Sequence, residues 1–306
     1  MRESNIILFH REIRARLGRE YQAGTMHHAY LFTGPRGIGK ATLAKWCAQM
    51  VQCEALALSD APCGKCAHCR AIEHGTMPDV TIAAADRNVR TVSIREVRDA
   101  QERLHQTPLK GRFSVLILID ADRGTIAAQN AFLKTLEEPH PRSLLILTAT
   151  QPSLLLPTIH SRVAAIPFKR ISHHDMMSAL KSESVAAEQL IPLANYAQGV
   201  PGKIFDNFKL REDVASMLAQ VDALKDFKNA PFWELQTQIR KMLARYGKAP
   251  DALLQLLRNE MALLFRDQDV SPCARKALGA LWSAHAHHVN QDLALDILSL
   301  SLAQRL

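Results

Sequence analysis

The stretch from Ala29 to Val51 constrains this chain more than any other. An apolar run, Ala29-Tyr30-Leu31-Phe32, leads into Gly34-Pro35-Arg36-Gly37-Ile38-Gly39-Lys40-Ala41-Thr42 and then an amphipathic segment from Leu43 to Val51. A buried strand, a glycine-rich turn and a helix start in that order call for parallel strand partners, and so for a sheet covered by helices. The turn fits the phosphate-loop spacing G-x-x-x-x-G-K-[ST] at Gly34, Gly39 and Lys40. Its glycines, Gly37 included, let backbone N–H groups face an anion, the helix start adds partial positive charge, and Lys40 reaches the outer phosphates. One part is missing: Ala41 stands where a magnesium-holding hydroxyl belongs, and Thr42 comes one position late, about 100° further round the helix. ATP or ADP is therefore expected to bind weakly or not at all and to be hydrolysed poorly. The alternative is a loop kept only for its packing.

A second apolar run, Ser114-Val115-Leu116-Ile117-Leu118-Ile119-Asp120, reads as a strand buried on both faces with a carboxylate at its C-terminal end. Hydrolysing phosphate-loop proteins place an Asp-Glu pair there, the first acid supporting magnesium and the second polarising water. This chain has Asp120-Ala121-Asp122, so no such pair exists, and Asp122 is expected to point away from Asp120 rather than to serve as a displaced acid. Pro78–Ile82, Ser143–Thr150 and a short segment through Ile166 are the other expected strands, with helices from Ser93 to about Gln106 and from Ala127 to Glu138. The repeated strand-helix order predicts an α/β parallel sheet of the P-loop kind.

Between these runs, Cys53, Cys63, Cys66 and Cys69 have the spacing C-x9-C-x2-C-x2-C, in a turn-rich segment. Four thiolates at such spacing can converge on a structural, tetrahedral Zn2+ whose closed shell leaves no open position for catalysis. His68 lies inside the cluster, but four sulfurs leave it no vacancy, and Cys47 and Cys273 read as ordinary thiols.

The 306 residues suffice for two or three domains, and 47% hydrophobic with only 6% aromatic residues favours helices rich in Leu and Ala. A net charge of +8 suggests nucleic acid or an acidic partner. The mixed charges of Met1 to Ile6 and the short apolar runs predict no signal peptide and no membrane span, hence a cytoplasmic protein. An amphipathic helix is expected between about Ile6 and Gly24, and after Phe168 only helices: Ser172–Ser182, Val185–Leu193 and Ala194–Phe205, then a helical third with breaks near Pro231, Pro250 and Pro272.

The run before the loop, the four-cysteine insert, Leu133-Lys134-Thr135-Leu136-Glu137-Glu138-Pro139 and Pro157-Thr158-Ile159-His160-Ser161-Arg162 together resemble the bacterial clamp-loader subunits of DNA polymerase III, in the AAA+ class. The resemblance covers about the first 205 residues. It implies an AAA+ nucleotide-binding-like domain at 1–168 with a zinc module at about 53–69, a three-helix lid at 169–206, and an all-helical C-terminal collar at 207–306. Gamma/tau-type members carry the loop hydroxyl, the Asp-Glu pair and a lid arginine, where this chain has Ala41, Asp120-Ala121 and Gly202. Those three deficits point to the non-hydrolysing delta-prime branch.

On that resemblance Arg162 is an arginine finger reaching a neighbouring subunit's ATP, although its motif reads Ser161-Arg162-Val163 rather than Ser-Arg-Cys. Gly34, Gly37, Gly39, Lys40, Thr42, Asp120 and Thr150 would be a degenerate nucleotide site, Thr150 at the position that senses the outer phosphate. The implied partners are the gamma/tau and delta subunits and, through the complex, the sliding clamp and primed DNA, with Arg123, Lys134 and Arg142 as candidates for the DNA backbone. The degenerate ATPase site predicts no catalysis of its own, and since no carboxylate set for nucleotidyl transfer is visible, any polymerase activity would belong to the holoenzyme. Two rivals stay open: an ATP-hydrolysing AAA+ subunit using Lys40 and Asp120, and a zinc-dependent DNA-binding module built on the cysteines.

Overall fold

The computed structural model describes residues 8–55, 61–84, 100–104, 106–182 and 187–205. Its sheet has five strands, β1 (Ala29–Thr33), β2 (Val80–Ala84), β3 (Ser114–Ile119), β4 (Ser143–Ala149) and β5 (Ala164–Pro167). They lie in the order β2-β3-β4-β1-β5, every pair parallel. The strand bearing the glycine-rich turn thus sits between β4 and β5, and its register sets Thr33 beside Ala149 and Pro167. Ligand crevices in such sheets open at the carboxyl ends of the strands, where the chain leaves β1, β3 and β4 side by side.

Period-2 alternation divides the strand residues between two cores. Tyr30, Phe32, Val115, Ile117, Leu144 and Ile146 face one side, where helices α1 (Arg11–Gln22), α2 (Lys40–Gln52) and α3 (Ala67–Glu73) bring Leu17, Leu43, Trp46, Met50 and Ile72. Leu31, Leu116, Leu118, Leu145 and Leu147 face the other, covered by helical residues 100–104, α4 (Ile126–Glu137) and α5 (Pro157–His160) through Leu104, Phe132, Leu136 and Ile159. This double coverage is why the strands read as unbroken apolar runs.

Two buried side chains shape the loop that feeds β3. Asp79 accepts backbone N–H bonds from Leu109 (2.6 Å), Lys110 (2.8 Å) and Gly111 (2.6 Å). Gln52, fully buried at the end of α2, accepts from Arg112 at 2.7 Å and donates to the Phe113 carbonyl at 2.5 Å. Replacing Asp79 by alanine leaves three N–H groups without an acceptor. It is expected to cost about 2–4 kcal/mol in denaturant unfolding, and a change below about 0.5 kcal/mol would show that water replaces the carboxylate.

Several boundaries differ from the sequence reading. Strand β2 starts two residues later, at Val80, and ends at Ala84. Strands β3 and β4 each stop one residue early, at Ile119 and Ala149, because Asp120 turns into the left-handed region (φ 55°) and Thr150 is drawn to Asp122. Helix α4 starts one residue early because the Thr125 hydroxyl accepts from Ala128 N–H, capping it. Beyond β5, α6 (His173–Ser182) fits expectation, whereas the next two segments divide as α7 (Ala187–Ala197) and α8 (Gly202–Phe205), parted by Gln198 and Gly199, both at positive φ. The helix start at 93–99, residues 183–186, Cys273 and the helical third at 207–306 lie outside the described residues.

The chain divides into two compact units, Met1–Glu183 with Ala197–Asp206, and Ser184–Tyr196 with Asn207–Leu306. The first holds the sheet and every candidate site residue described below. In the second, the described residues belong to α7, in which Leu190, Leu193 and Ala194 are buried. Among the described residues no helix is long and apolar enough to cross a membrane.

Candidate functional site

The glycine-rich turn leaves β1 and enters α2 through three positive-φ glycines, Gly34 (147°), Gly37 (78°) and Gly39 (106°). Gly34 is held by neighbours as well as by conformation: a Cβ there would lie 2.8 Å from the Phe168 carbonyl oxygen. Gly37 is packed against the start of α8. Its carbonyl accepts the Gly202 N–H at 2.8 Å, and a Cβ on Gly37 would meet Val200 at 3.3 Å. From the other side the buried His10 ring donates from Nε2 to the Ile38 carbonyl at 2.8 Å and stands edge-on to Phe168, 4.6 Å between ring centres. Burial pushes the His10 pKa below its ordinary value, which keeps the ring neutral and suited to that contact.

Lys40 closes the turn on itself. Its ammonium donates to the carbonyls of Gly34 (2.6 Å) and Pro35 (3.0 Å) and reaches the Thr150 hydroxyl at 3.4 Å. Burial lowers its pKa, against the opposing pull of Asp120 and Asp122. A phosphate would have to draw Lys40 off two carbonyls. Thr42 sits half-buried in the first turn of α2, and among the described residues its hydroxyl bonds to none of Lys40, Asp120 and Thr150.

The acid end of β3 departs from simple alternation. Asp120 donates its N–H to the Thr148 hydroxyl at 3.0 Å, and its carboxylate lies 4.0 Å from Arg123. The chain then enters a 3-10 turn, Ala121–Arg123, which swings Asp122 back toward β4. There its Oδ2 accepts the N–H groups of Thr150 (3.1 Å) and Gln151 (2.7 Å), while Oδ1 is buried with no partner among the described residues. The expectation that Asp122 points away from the site is overturned: residues two apart on a strand share a face, and here the 3-10 turn after Ile119 holds Asp122 against the end of β4. Asp122 fixes Thr150, and Thr150 meets Lys40.

An open cleft of about 700 Å³ lies between the start of α1 and the segment from β5 into α6, lined by His10, Arg11, Lys169, Ile171, Ser172 and Asp175 among others, and no residue of the glycine-rich turn lines it. That volume is of the size that small-molecule pockets take.

Arg162 follows α5 and leads into β5. Its Nη1 donates to the Thr158 carbonyl and the Ser161 hydroxyl, each at 3.0 Å, and its Nη2 lies 2.8 Å from Glu137 Oε1 at the end of α4. The side chain is 35% exposed. Buried Gln129 steadies the preceding loop, donating to the Gly124 and Leu154 carbonyls and accepting from Leu156 N–H at 2.9 Å. Two of the three candidate DNA-facing cations lie apart: Arg123 follows the carboxyl end of β3 and Arg142 precedes the amino end of β4, at opposite ends of these parallel strands.

The four cysteines converge. Sγ atoms of Cys53, Cys63, Cys66 and Cys69 all lie within 4.8 Å of one another. A tetrahedral zinc with bonds of about 2.3 Å sets its sulfurs about 3.8 Å apart, so the cluster fits that ion. Backbone N–H groups point at the sulfurs: Cys63 to Cys53 (3.3 Å), Cys66 to Cys63 (3.3 Å), Lys65 to Cys63 (3.4 Å) and Cys69 to Cys66 (3.4 Å). Cys66 thereby caps α3. The N–H groups of Lys65 and Cys66 lower the Cys63 thiol to about 6, whereas burial pushes Cys69 up. Four clustered thiols that oppose one another's charge suit a cation between them. His68 turns away, its Nδ1 against the Gln52 carbonyl at 2.9 Å and its Nε2 3.6 Å from Glu54.

The family profile described as DNA polymerase III, delta subunit, matches residues 9–172, more than half of the chain, including the glycine-rich turn, Asp120, Asp122, Arg162 and the four cysteines. The chain belongs to the DNA polymerase III clamp-loader family. It is 40% identical over 164 residues to DNA polymerase III subunit tau of Bacillus subtilis, covering 53% of this chain and 28% of that protein. It is 38% identical over 173 residues to DNA polymerase III subunit delta′ of Pseudomonas aeruginosa, covering 55% and 52%. The matches therefore span about half or less of these relatives' own length. A crystal structure of a gamma subunit-related DNA polymerase III protein from Thermotoga maritima superposes with a TM-score of 0.50 at 16% identity, over 96% of this chain and 98% of that one, a likeness of fold.

Three residues of this clamp-loader family member escaped the sequence reading as parts of the site. His10 meets Ile38 across 28 positions and Glu137 meets Arg162 across 25, and neither pairing leaves a local pattern. Asp122 was noticed but misdirected. Gly124 and Thr125, a turn residue and a helix cap, were the available signal that the strand ends before Asp120.

Proposed function

We propose that this chain acts as the delta-prime subunit of the DNA polymerase III clamp loader, without ATP hydrolysis of its own, and supplies Arg162 in trans to ATP held by a neighbouring gamma/tau subunit. The observation that carries this reading is the contrast between two cations. Lys40 is turned inward onto the carbonyls of its own loop, while Arg162 stands part-exposed at the end of α5. The absent hydroxyl at Ala41, the lone Asp120 and the backbone contact of Gly202 on Gly37 add to it. In this reading Gly34, Gly37, Gly39, Lys40, Thr42, Asp120 and Thr150 are a relic of a nucleotide site that keeps the fold's shape. Cys53, Cys63, Cys66 and Cys69 would hold a structural zinc, which contributes folding energy and no reaction step. The partners are gamma/tau and delta, with the sliding clamp and primed DNA reached through the ring. Residues 169–206 serve as lid and 207–306 as collar.

A second reading, an ATP-hydrolysing subunit, draws on the survival of Lys40 and on the Asp120 and Asp122 carboxylates that pull on its charge. One experiment separates the two. The purified chain is expected to show no DNA-stimulated ATP turnover, whereas the complex reconstituted with gamma/tau, delta and clamp turns over ATP and loads the clamp. Turnover by the chain alone, abolished by Lys40→Ala, would establish the hydrolysing reading instead.

A further inference from the structure

We infer that Glu137 is the positioning residue for Arg162, an inference that rests on the arginine-finger reading above. A guanidinium offers five N–H donors. Among the described residues Arg162 uses three of them, two from Nη1 to the Thr158 carbonyl and the Ser161 hydroxyl and one from Nη2 to Glu137. The first two partners come from α5 and the residue after it, so they orient the arginine only relative to its own short helix. Glu137 is the contact from a different element, the end of α4, which the buried Leu136 and Phe132 anchor to the sheet. Two donors stay available for a phosphate.

Helix-end electrostatics argue that Glu137 is not there for stability. The C-terminal end of a helix carries partial negative charge, and α4 ends with two carboxylates in succession, Glu137 and Glu138. An acid there is unfavourable for the helix unless a cation answers it, and Arg162 is that cation at 2.8 Å. The pair is exposed, Glu137 by 52%, and so weak enough to yield to a phosphate while still restricting where the guanidinium points.

The test uses the reconstituted complex in a single-turnover ATP experiment, where the site facing this subunit appears as a separate phase. Glu137→Ala is expected to slow that phase about tenfold, with the ATP concentration for half-maximal rate unchanged, because orientation rather than binding is lost. Glu137→Gln keeps an oxygen acceptor on a side chain of equal length and is expected to recover most of the rate. Assembly and the melting temperature of the chain alone should stay at wild-type values in both. A wild-type rate in Glu137→Ala beside a slowed Arg162→Ala overturns the inference and leaves the finger intact. So does a loss matched by failed assembly, which marks a merely structural acid. If Arg162→Ala is also without effect, the finger reading itself fails and the role of Glu137 with it.

Discussion

Replacing Arg162 by alanine is expected to slow hydrolysis at the neighbouring nucleotide by about 10³-fold, the lower end of what an arginine finger contributes. The chain itself should lose little. Its contacts are a helix carbonyl, a neighbouring hydroxyl and a part-exposed ion pair, and surface pairs of this kind are worth about 0–1 kcal/mol. Arg162→Lys is the sharper control. Lysine keeps the charge, but it cannot make the three directed bonds that hold the planar guanidinium, so it should restore only a small part of the rate. The measurement is single-turnover hydrolysis in the reconstituted complex, with assembly followed separately by size. A rate that stays at wild type in both variants, with assembly intact, removes Arg162 from the mechanism.

The sheet was legible because burial on both faces forces apolar residues at every strand position. Ser114 to Ile119 and Ser143 to Ala149 therefore stood out as runs that only a covered parallel sheet explains. The turn at Gly34 to Lys40 was legible for a different reason: its backbone needs three positive φ angles, and glycine is the residue that supplies them cheaply. What the sequence hid was set by contacts distant along the chain. The place of Asp122 is set by the turn that starts at Asp120 (φ 55°) and by the Thr150 and Gln151 N–H groups, 28 and 29 positions along the chain. The division of α7 from α8 turns on Gln198 taking a left-handed conformation that glutamine seldom adopts, with the Arg170 guanidinium donating to its carbonyl at 2.8 Å. The cysteine spacing announced a metal, but that Gln52, next to Cys53, also holds the loop before β3 follows only from the tertiary structure.

Removal of zinc should therefore reach further than the cysteine segment. Cys53 and Cys69 are fully buried in the same core as Trp46, Met50 and Ile72, and Cys53 directly follows Gln52, whose side chain clamps Arg112 and Phe113 ahead of β3. Without a cation nothing bonds the four sulfurs together, and the end of α2 loses the tie that Cys53 would make to Cys63, Cys66 and Cys69. The chain is expected to bind one zinc, and chelation to cost about 3–5 kcal/mol, lowering the melting temperature by roughly 10 °C. Among single substitutions, Cys69→Ser should cost more than Cys63→Ser, since Cys69 is buried and Cys63 is not. A chain that binds no zinc, or that melts unchanged after chelation, would remove the metal from the fold. DNA binding distinguishes this structural role from the rival zinc-dependent DNA-binding module. A module reading DNA through the cysteine segment must lose affinity on chelation before the rest of the fold melts. A structural zinc leaves the affinity of the complex unchanged until the fold around Gln52 gives way, so the two losses should track each other across chelator concentration.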